Sequence, residues 1–271
     1  SLVNGEISDL VSSSDRGLAY GDGEFETIAV QGGNARLWQG HMDRLQRGCQ
    51  RLNIVAPPQE VLLRELKTVA AGLGLCIVKI IVTRGVGGRG YAPPATATPC
   101  RVVSAHPWPG GVDEDRQLGV HGGLCETRLA LQPQLRGIKH LNRLEQVLAA
   151  QELERDPAKQ GKQGILMNTE GFLITAISAN LFIVNDGLLL TPRMDRCGVH
   201  GVLRERLLRE QVARCERRRI TMDMLREADE VFLCSSVRGI VALRSLETLS
   251  WEIGPVTREM QAWQAALMEH S

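Results

Sequence analysis

The sequence predicts an α/β chain in two domains, on three observations. First, at 271 residues the chain is long enough for two cores, and its 43% apolar and 23% charged residues are the balance of a globular protein. Second, apolar residues recur at every second position in some stretches and at every third or fourth in others, so strands and helices interleave along the chain. Third, Pro107-Trp108-Pro109-Gly110-Gly111 reads as a linker between an N-terminal domain (1–108) and a larger C-terminal domain (109–271).

The N-terminal elements follow in order. Asn4-Gly5 between short apolar runs predicts a hairpin. Residues 15–23 are punctuated by glycine and predict a loop. A strand follows over 24–30, with Phe25, Thr27 and Ala29 on one face and Glu24, Glu26 and Ile28 on the other. Met42, Leu45, Cys49 and Leu52 form one stripe, so 41–52 is a helix. A second helix spans 58–73, with Pro58 at its start and Gly72 and Gly74 at its end. Strands are expected over 76–83 and 101–105.

Between those two strands lies Arg84-Gly85-Val86-Gly87-Gly88-Arg89-Gly90-Tyr91-Ala92-Pro93-Pro94. Gly85, Gly87 and Gly90 spell GxGxxG after a strand. A dinucleotide fingerprint needs a helix to open there, and two prolines stand in its place. The loop, which carries Arg89 and Tyr91, either lies close over a small anionic ligand or is a mobile surface loop.

The C-terminal half is organised around Gly137-Ile138-Lys139-His140-Leu141-Asn142-Arg143-Leu144-Glu145-Gln146-Val147-Leu148. Asn142 and Glu145 have the spacing of a capping box, and Leu144, Val147, Leu148 and Gln151 share a helical face. Lys139 then stands just before a helix start, whose dipole disfavours a protonated amine, and Ile138 and Leu141 add desolvation. A lysine so placed is a nucleophile. The chain holds only five lysines beside 27 arginines. The other four have ordinary settings: a helix surface (Lys67), a strand (Lys79) and a polar loop (Lys159, Lys162). The lysine helix breaks at Asp156-Pro157. Strands are expected over 164–167, 171–176, 180–184, 230–234 and 240–243. Helices are expected from about 198 to 216, with Arg217-Arg218-Arg219 at its solvated end, and over 256–268.

Composition bounds the function. A net charge of +1 gives no case for nucleic acid or a membrane surface as partner. No apolar run spans a bilayer, and no signal-peptide pattern appears. The seven cysteines are scattered without a CxxC pair, and the histidines show no metal-ligand spacing. These features predict a reduced, cytoplasmic, metal-free enzyme acting on a small molecule.

Several strings carry a resemblance. Asp15-Arg16-Gly17-x-x-Tyr20-Gly21-Asp22-Gly23-x-Phe25-Glu26-Thr27, then His41-x-x-Arg44-Leu45, Lys139-x-x-Asn142 and Asn180-Leu181-Phe182 resemble the fold-type IV pyridoxal 5′-phosphate enzymes, in order over nearly the whole chain. That family includes branched-chain and D-amino-acid aminotransferases. The strings 87–91 and 137–146 resemble its aminodeoxychorismate lyase branch, which implies loss of pyruvate from aminodeoxychorismate to give 4-aminobenzoate, in folate biosynthesis. An aminotransferase of the same fold is the alternative.

The resemblance further implies a D-amino-acid-aminotransferase-like fold, with a small α/β domain, a larger pseudo-barrel domain and a homodimer. By position, Lys139 carries the cofactor and moves the proton. Arg44, the helix-start N–H groups of Val202 and Leu203, and Ser236 hold the cofactor phosphate. Thr27 is expected to act in catalysis on the substrate side, where Arg89 and Tyr91 bind. One position departs: Thr175 stands where the family usually has a glutamate against the pyridine nitrogen. A hydroxyl supplies no charge there, which weakens the case for amino transfer. It matters less to a lyase whose product becomes aromatic.

Overall fold

A computed structural model gives the fold and describes residues 1–269. The described chain divides into two compact units: Ser1–Pro109 with Ile138–Asn142, and Gly110–Gly137 with residues 143–269.

The first unit opens with a hairpin of β1 (Leu2–Val3) and β2 (Glu6–Ile7). Both turn residues, Asn4 and Gly5, have positive φ (54° and 94°), as the Asn-Gly pair predicts. The expected loop at 15–23 contains a short helix, α1 (Arg16–Tyr20). The sequence hides it because Gly17 falls inside the segment and Gly21 ends it, but the Asp15 carboxylate accepts the Gly17 N–H at 2.7 Å and caps it. Next come β3 (Gly23–Gln31), β4 (Asn34–Ala35), α2 (Trp38–Leu52), α3 (Gln59–Ala70), β5 (Leu75–Thr83) and β6 (Cys100–Pro107). The sheet order is β2-β1-β6-β5-β3-β4, with β3 and β5 paired from Gly23↔Thr83 to Gln31↔Leu75. Ile28, Val78 and Ile80 of the sheet pack with Met42 and Leu45 of α2 and Leu62 and Leu66 of α3. The helical stripe and the strand alternation thus meet in one core.

The second unit starts with α4 (Val112–Leu118), which the sequence does not announce because acidic residues crowd its only apolar ones. There follow β7 (Val120–Leu129), α5 (Leu144–Arg155), β8 (Gln163–Asn168), β9 (Leu173–Ala176), β10 (Asn180–Asn185) and β11 (Leu188–Pro192). After them come α6 (Val202–Glu210), β12 (Cys215–Arg218), α7 (Met222–Arg226), β13 (Glu230–Ser235), β14 (Gly239–Leu246), β15 (Leu249–Ser250) and α8 (Pro255–Glu269). Strands β10-β13-β14-β7-β8-β9 run in sequence, and β9 pairs again with β10 through Thr175↔Asn180. The sheet therefore closes on itself, the barrel-like form the resemblance implies, around Ile165, Leu181, Ile183, Leu233 and Leu243.

Three expectations change. The helix expected over 198–216 spans only Val202–Glu210, and residues 215–218 become β12, parallel to β11. The arginines there belong to a strand whose backbone is satisfied by its neighbour. Asn142 and Glu145 make no capping box: the α5 N-cap is Arg143. Asn142 instead donates its amide to Gly21 O at 3.0 Å, and Glu145 accepts the Ala130 N–H at 2.7 Å, so both side chains are turned to other partners. Finally, α5 turns Ala149 and Leu153 inward, while Leu144, Val147 and Leu148 are 75%, 48% and 52% exposed.

Candidate functional site

Lys139 belongs with the first unit, although the domain boundary read from the sequence puts it in the C-terminal domain. Its segment runs antiparallel along the start of β3. Phe25 N donates to Lys139 O at 3.0 Å, Leu141 N to Gly23 O at 2.9 Å, and Glu24 bridges His140. Backbone pairing, not a helix cap, holds this lysine. Its Nζ lies 4.1 Å from the centre of the Phe25 ring, a cation–π distance. Lys79 Nζ, from β5, lies 5.2 Å from the same centre. Thr27 is opposite Lys79 and two residues from Phe25, so the sheet's alternation gives it the Phe25 face. The sequence treats Lys79 as an ordinary strand lysine, since nothing local shows that the opposite strand carries Phe25.

On the other face of β3, Glu26 is fully buried. Arg44 donates to it from Nε (2.8 Å) and Nη2 (2.5 Å), and His41 Nδ1 lies 2.6 Å from Oε2. Burial alone would push the Glu26 carboxyl up. The Arg44 charge and hydrogen bonds, with His41 behind them, outweigh it and hold the group at about 2. His41 is pushed down by burial, against the pull of Glu26, and the charges of Arg44 and Lys139 add to the downward push. The array is therefore an ionised carboxylate between a guanidinium and a neutral imidazole. It ties Arg44 and Lys139, which are far apart in sequence, into one electrostatic neighbourhood. A signal for it exists in the sequence. Two glutamates alternate with Ile28 on the core face, and His41 and Arg44 sit three apart on one side of a helix.

Arg89 and Tyr91 lie in the exposed glycine-rich loop. Arg16 tethers it, donating to Gly90 O (3.0 Å) and Tyr91 O (2.7 Å). Arg16 is itself held by Asp22, which also receives Arg84. Burial raises the Asp22 carboxyl, but the two guanidinium groups bring it below its ordinary value. The Tyr91 ring stands 5.5 Å from that of Tyr20, tilted at 58°. The Asp15–Gly23 string thus serves as the loop's anchor.

The remaining residues that the resemblance implicates lie in the second unit. Thr175 is buried at the barrel seam, and its hydroxyl reaches Ala179 O at 2.7 Å and Ala176 O at 2.9 Å. Its one proton is committed to backbone carbonyls, so the oxygen offers only acceptor capacity to anything else. Opposite it, Asn180 Oδ1 accepts the Gly201 N–H (3.1 Å) and Nδ2 donates to Val199 O (3.0 Å). A Cβ at Gly201 would stand 2.0 Å from that oxygen, so only glycine admits the clip. The clip fixes the entry to α6. There the N–H groups of Val202 and Leu203 fall in the first turn, beyond the reach of any intrahelical carbonyl. Such a start binds phosphate readily. Ser236 follows β13 in the turn closed by Arg238 N to Ser235 Oγ at 3.1 Å.

Among the described residues no group of His, Cys, Asp and Glu is arranged to hold a metal ion. All seven cysteines are free, and burial pushes the Cys49 and Cys234 thiols up to about 12, which removes them as nucleophiles at neutral pH. No described helix is long and apolar enough to cross a membrane. Taken unit by unit, the groups have the chemistry pyridoxal 5′-phosphate needs: the first holds an amine able to condense with a carbonyl and an ordered arginine, and the second a fixed helix start of the kind that binds phosphate.

Comparison with known proteins agrees. The chain is 34% identical to the aminodeoxychorismate lyase of Vibrio harveyi over 96% of this chain and 97% of that one. The crystal structure of 4-amino-4-deoxychorismate lyase from Pseudomonas aeruginosa superposes with a TM-score of 0.91 at 44% identity, covering 98% of each chain. D-alanine aminotransferase from Listeria monocytogenes is 27% identical over 97% of this chain and 93% of its own. Residues 23–246 match the family described as amino-transferase class IV, and the chain belongs to that pyridoxal-phosphate-dependent family.

Proposed function

We propose that the protein is a 4-amino-4-deoxychorismate lyase, eliminating pyruvate from aminodeoxychorismate to leave 4-aminobenzoate, a step of folate biosynthesis. The observation that carries this is likeness to two such lyases over nearly the whole chain, at 34% and 44% identity. Pyridoxal 5′-phosphate, when bound, supplies an electron sink for the carbon bearing the substrate amine. Lys139 holds it through its amine and moves the proton at that carbon. Arg44, the first turn of α6 at Val202 and Leu203, and Ser236 bind the phosphate. Thr175 faces the pyridine nitrogen.

Thr27, Arg89 and Tyr91 serve the substrate, and Lys79 adds a cation for a carboxylate on the Phe25 face. Thr175 brings no charge, which favours elimination, where aromaticity drives the step, over amino transfer. The protein works as a homodimer, for which the exposed row Leu144, Val147 and Leu148 offers an apolar face, and it works in the cytoplasm.

The test is direct. Incubated with aminodeoxychorismate, the protein releases pyruvate and 4-aminobenzoate in equal amounts, and Lys139→Ala abolishes both. Steady amino transfer to 2-oxoglutarate without 4-aminobenzoate would make it an aminotransferase instead.

A further inference from the structure

We propose that Glu26 is a positioning residue, which presets the Arg44 guanidinium for the cofactor phosphate while His41 locks the carboxylate from behind. The proposal rests on the reading of Arg44 as a phosphate ligand and goes beyond it. Glu26 comes from β3, and Arg44 and His41 come from α2 at positions i and i+3, so a strand and a helix are clamped by one carboxylate. All three side chains are buried: Glu26 and His41 are 0% exposed and Arg44 5%.

The contact is bidentate. Nε meets Oε1 at 2.8 Å and Nη2 meets Oε2 at 2.5 Å, which fixes the plane of the guanidinium and not only its position. His41 Nδ1 meets Oε2 at 2.6 Å, so the carboxylate cannot swing with the arginine. Because Glu26 stays ionised, the imidazole donates from Nδ1. Its Nε2 is then a buried acceptor with no hydrogen-bond partner, so the ring's one satisfied polar contact is the one that holds Glu26.

The pair is electrically close to neutral, so Glu26 cannot act by strengthening the field on an anion. What it supplies is direction. An arginine stem is rich in rotamers, and ordering it before a ligand arrives removes that loss from the binding step. Without the carboxylate, the buried guanidinium turns toward whatever backbone acceptors it can reach.

The experiment compares two cofactor forms. The purified holoenzyme is stripped, and the protein is titrated with pyridoxal 5′-phosphate and, separately, with pyridoxal, reading absorbance. Glu26→Gln raises Kd for the phosphate form roughly tenfold, the freedom regained by one long side chain, and leaves that for pyridoxal within about twofold. Glu26→Asp, which keeps the charge on a shorter arm, falls in between and serves also if the Gln variant does not fold. In an Arg44→Gln background, Glu26→Gln adds nothing further to the ratio of the two constants.

Equal weakening of both forms, or unchanged or tighter binding of the phosphate form in Glu26→Gln, overturns the proposal. If Arg44→Gln itself leaves the ratio unchanged, the phosphate assignment of Arg44 fails. A raised ratio of the phosphate-form Kd to the pyridoxal Kd in Arg44→Gln, with a normal one in Glu26→Gln, sinks the positioning role alone.

Discussion

Replacing Asn180 by alanine tests how the barrel seam serves the site. The side chain makes two hydrogen bonds to backbone, from Gly201 N at 3.1 Å and to Val199 O at 3.0 Å. It is 5% exposed, so water does not readily replace it. Each bond contributes about 1 kcal/mol, and a donor and an acceptor left partly buried add to the loss, for ~3 kcal/mol in total. For a chain of this size that lowers Tm by roughly 6–12 °C. Calorimetry on the cofactor-free protein measures it.

The same change frees the entry to α6, so affinity for pyridoxal 5′-phosphate falls while affinity for pyridoxal holds. Asn185, on the same strand, is the internal control. Its Oδ1 is buried with no hydrogen-bond partner, so Asn185→Ala costs under about 1 kcal/mol. Similar Tm values for the two alanine variants would refute the argument that the Asn180 clip, and not strand β10 in general, holds the helix start.

Two further outcomes follow from the structure. Gly48→Ala should gain about 1 kcal/mol of helix propensity, yet its Cβ would lie 1.9 Å from the Cδ of fully buried Glu24. Overpacking costs about 1–3 kcal/mol and wins, so the urea midpoint falls, and a rise would show that Glu24 can move aside. On the proposed function, Thr175→Glu supplies a carboxylate for the pyridine nitrogen. A charged partner is worth about 1–2 kcal/mol more than a hydroxyl, so amino transfer to 2-oxoglutarate rises roughly five- to thirtyfold. No rise would mean that Thr175 does not set the choice of reaction.

Much of this protein was legible in its residues. The strands at β3, β5, β10 and β13 and the helices α2, α3 and α8 announce themselves, because their apolar periods of two and 3.6 are local properties of the chain. Lys139 stands out by the same local means, as a lone lysine with Ile138 and Leu141 close by in a chain where arginine does most of the basic work.

What the chain order conceals is which groups meet. The sequence puts a capping box after Lys139, but the tertiary structure gives Asn142 to Gly21 and Glu145 to Ala130, and holds the lysine by pairing with β3. A cap is a choice among acceptors, and only the packed chain shows which acceptors are near. Residues 215–218 read as a helix end and become a strand because β11 offers a ladder beside them. The apolar row of α5 reads as a core face, yet Ala149 and Leu153 take that place.

The site divides the same way. Residue types fix what each group can do: an amine can condense, a guanidinium can pair, a hydroxyl cannot carry charge. Long-range pairing decides the rest. It sets Lys79 and Lys139 at one aromatic ring and binds Glu26 to both His41 and Arg44. Contacts between residues tens or hundreds of positions apart leave no periodicity in the chain, since the free energy that selects them comes from closing the whole fold.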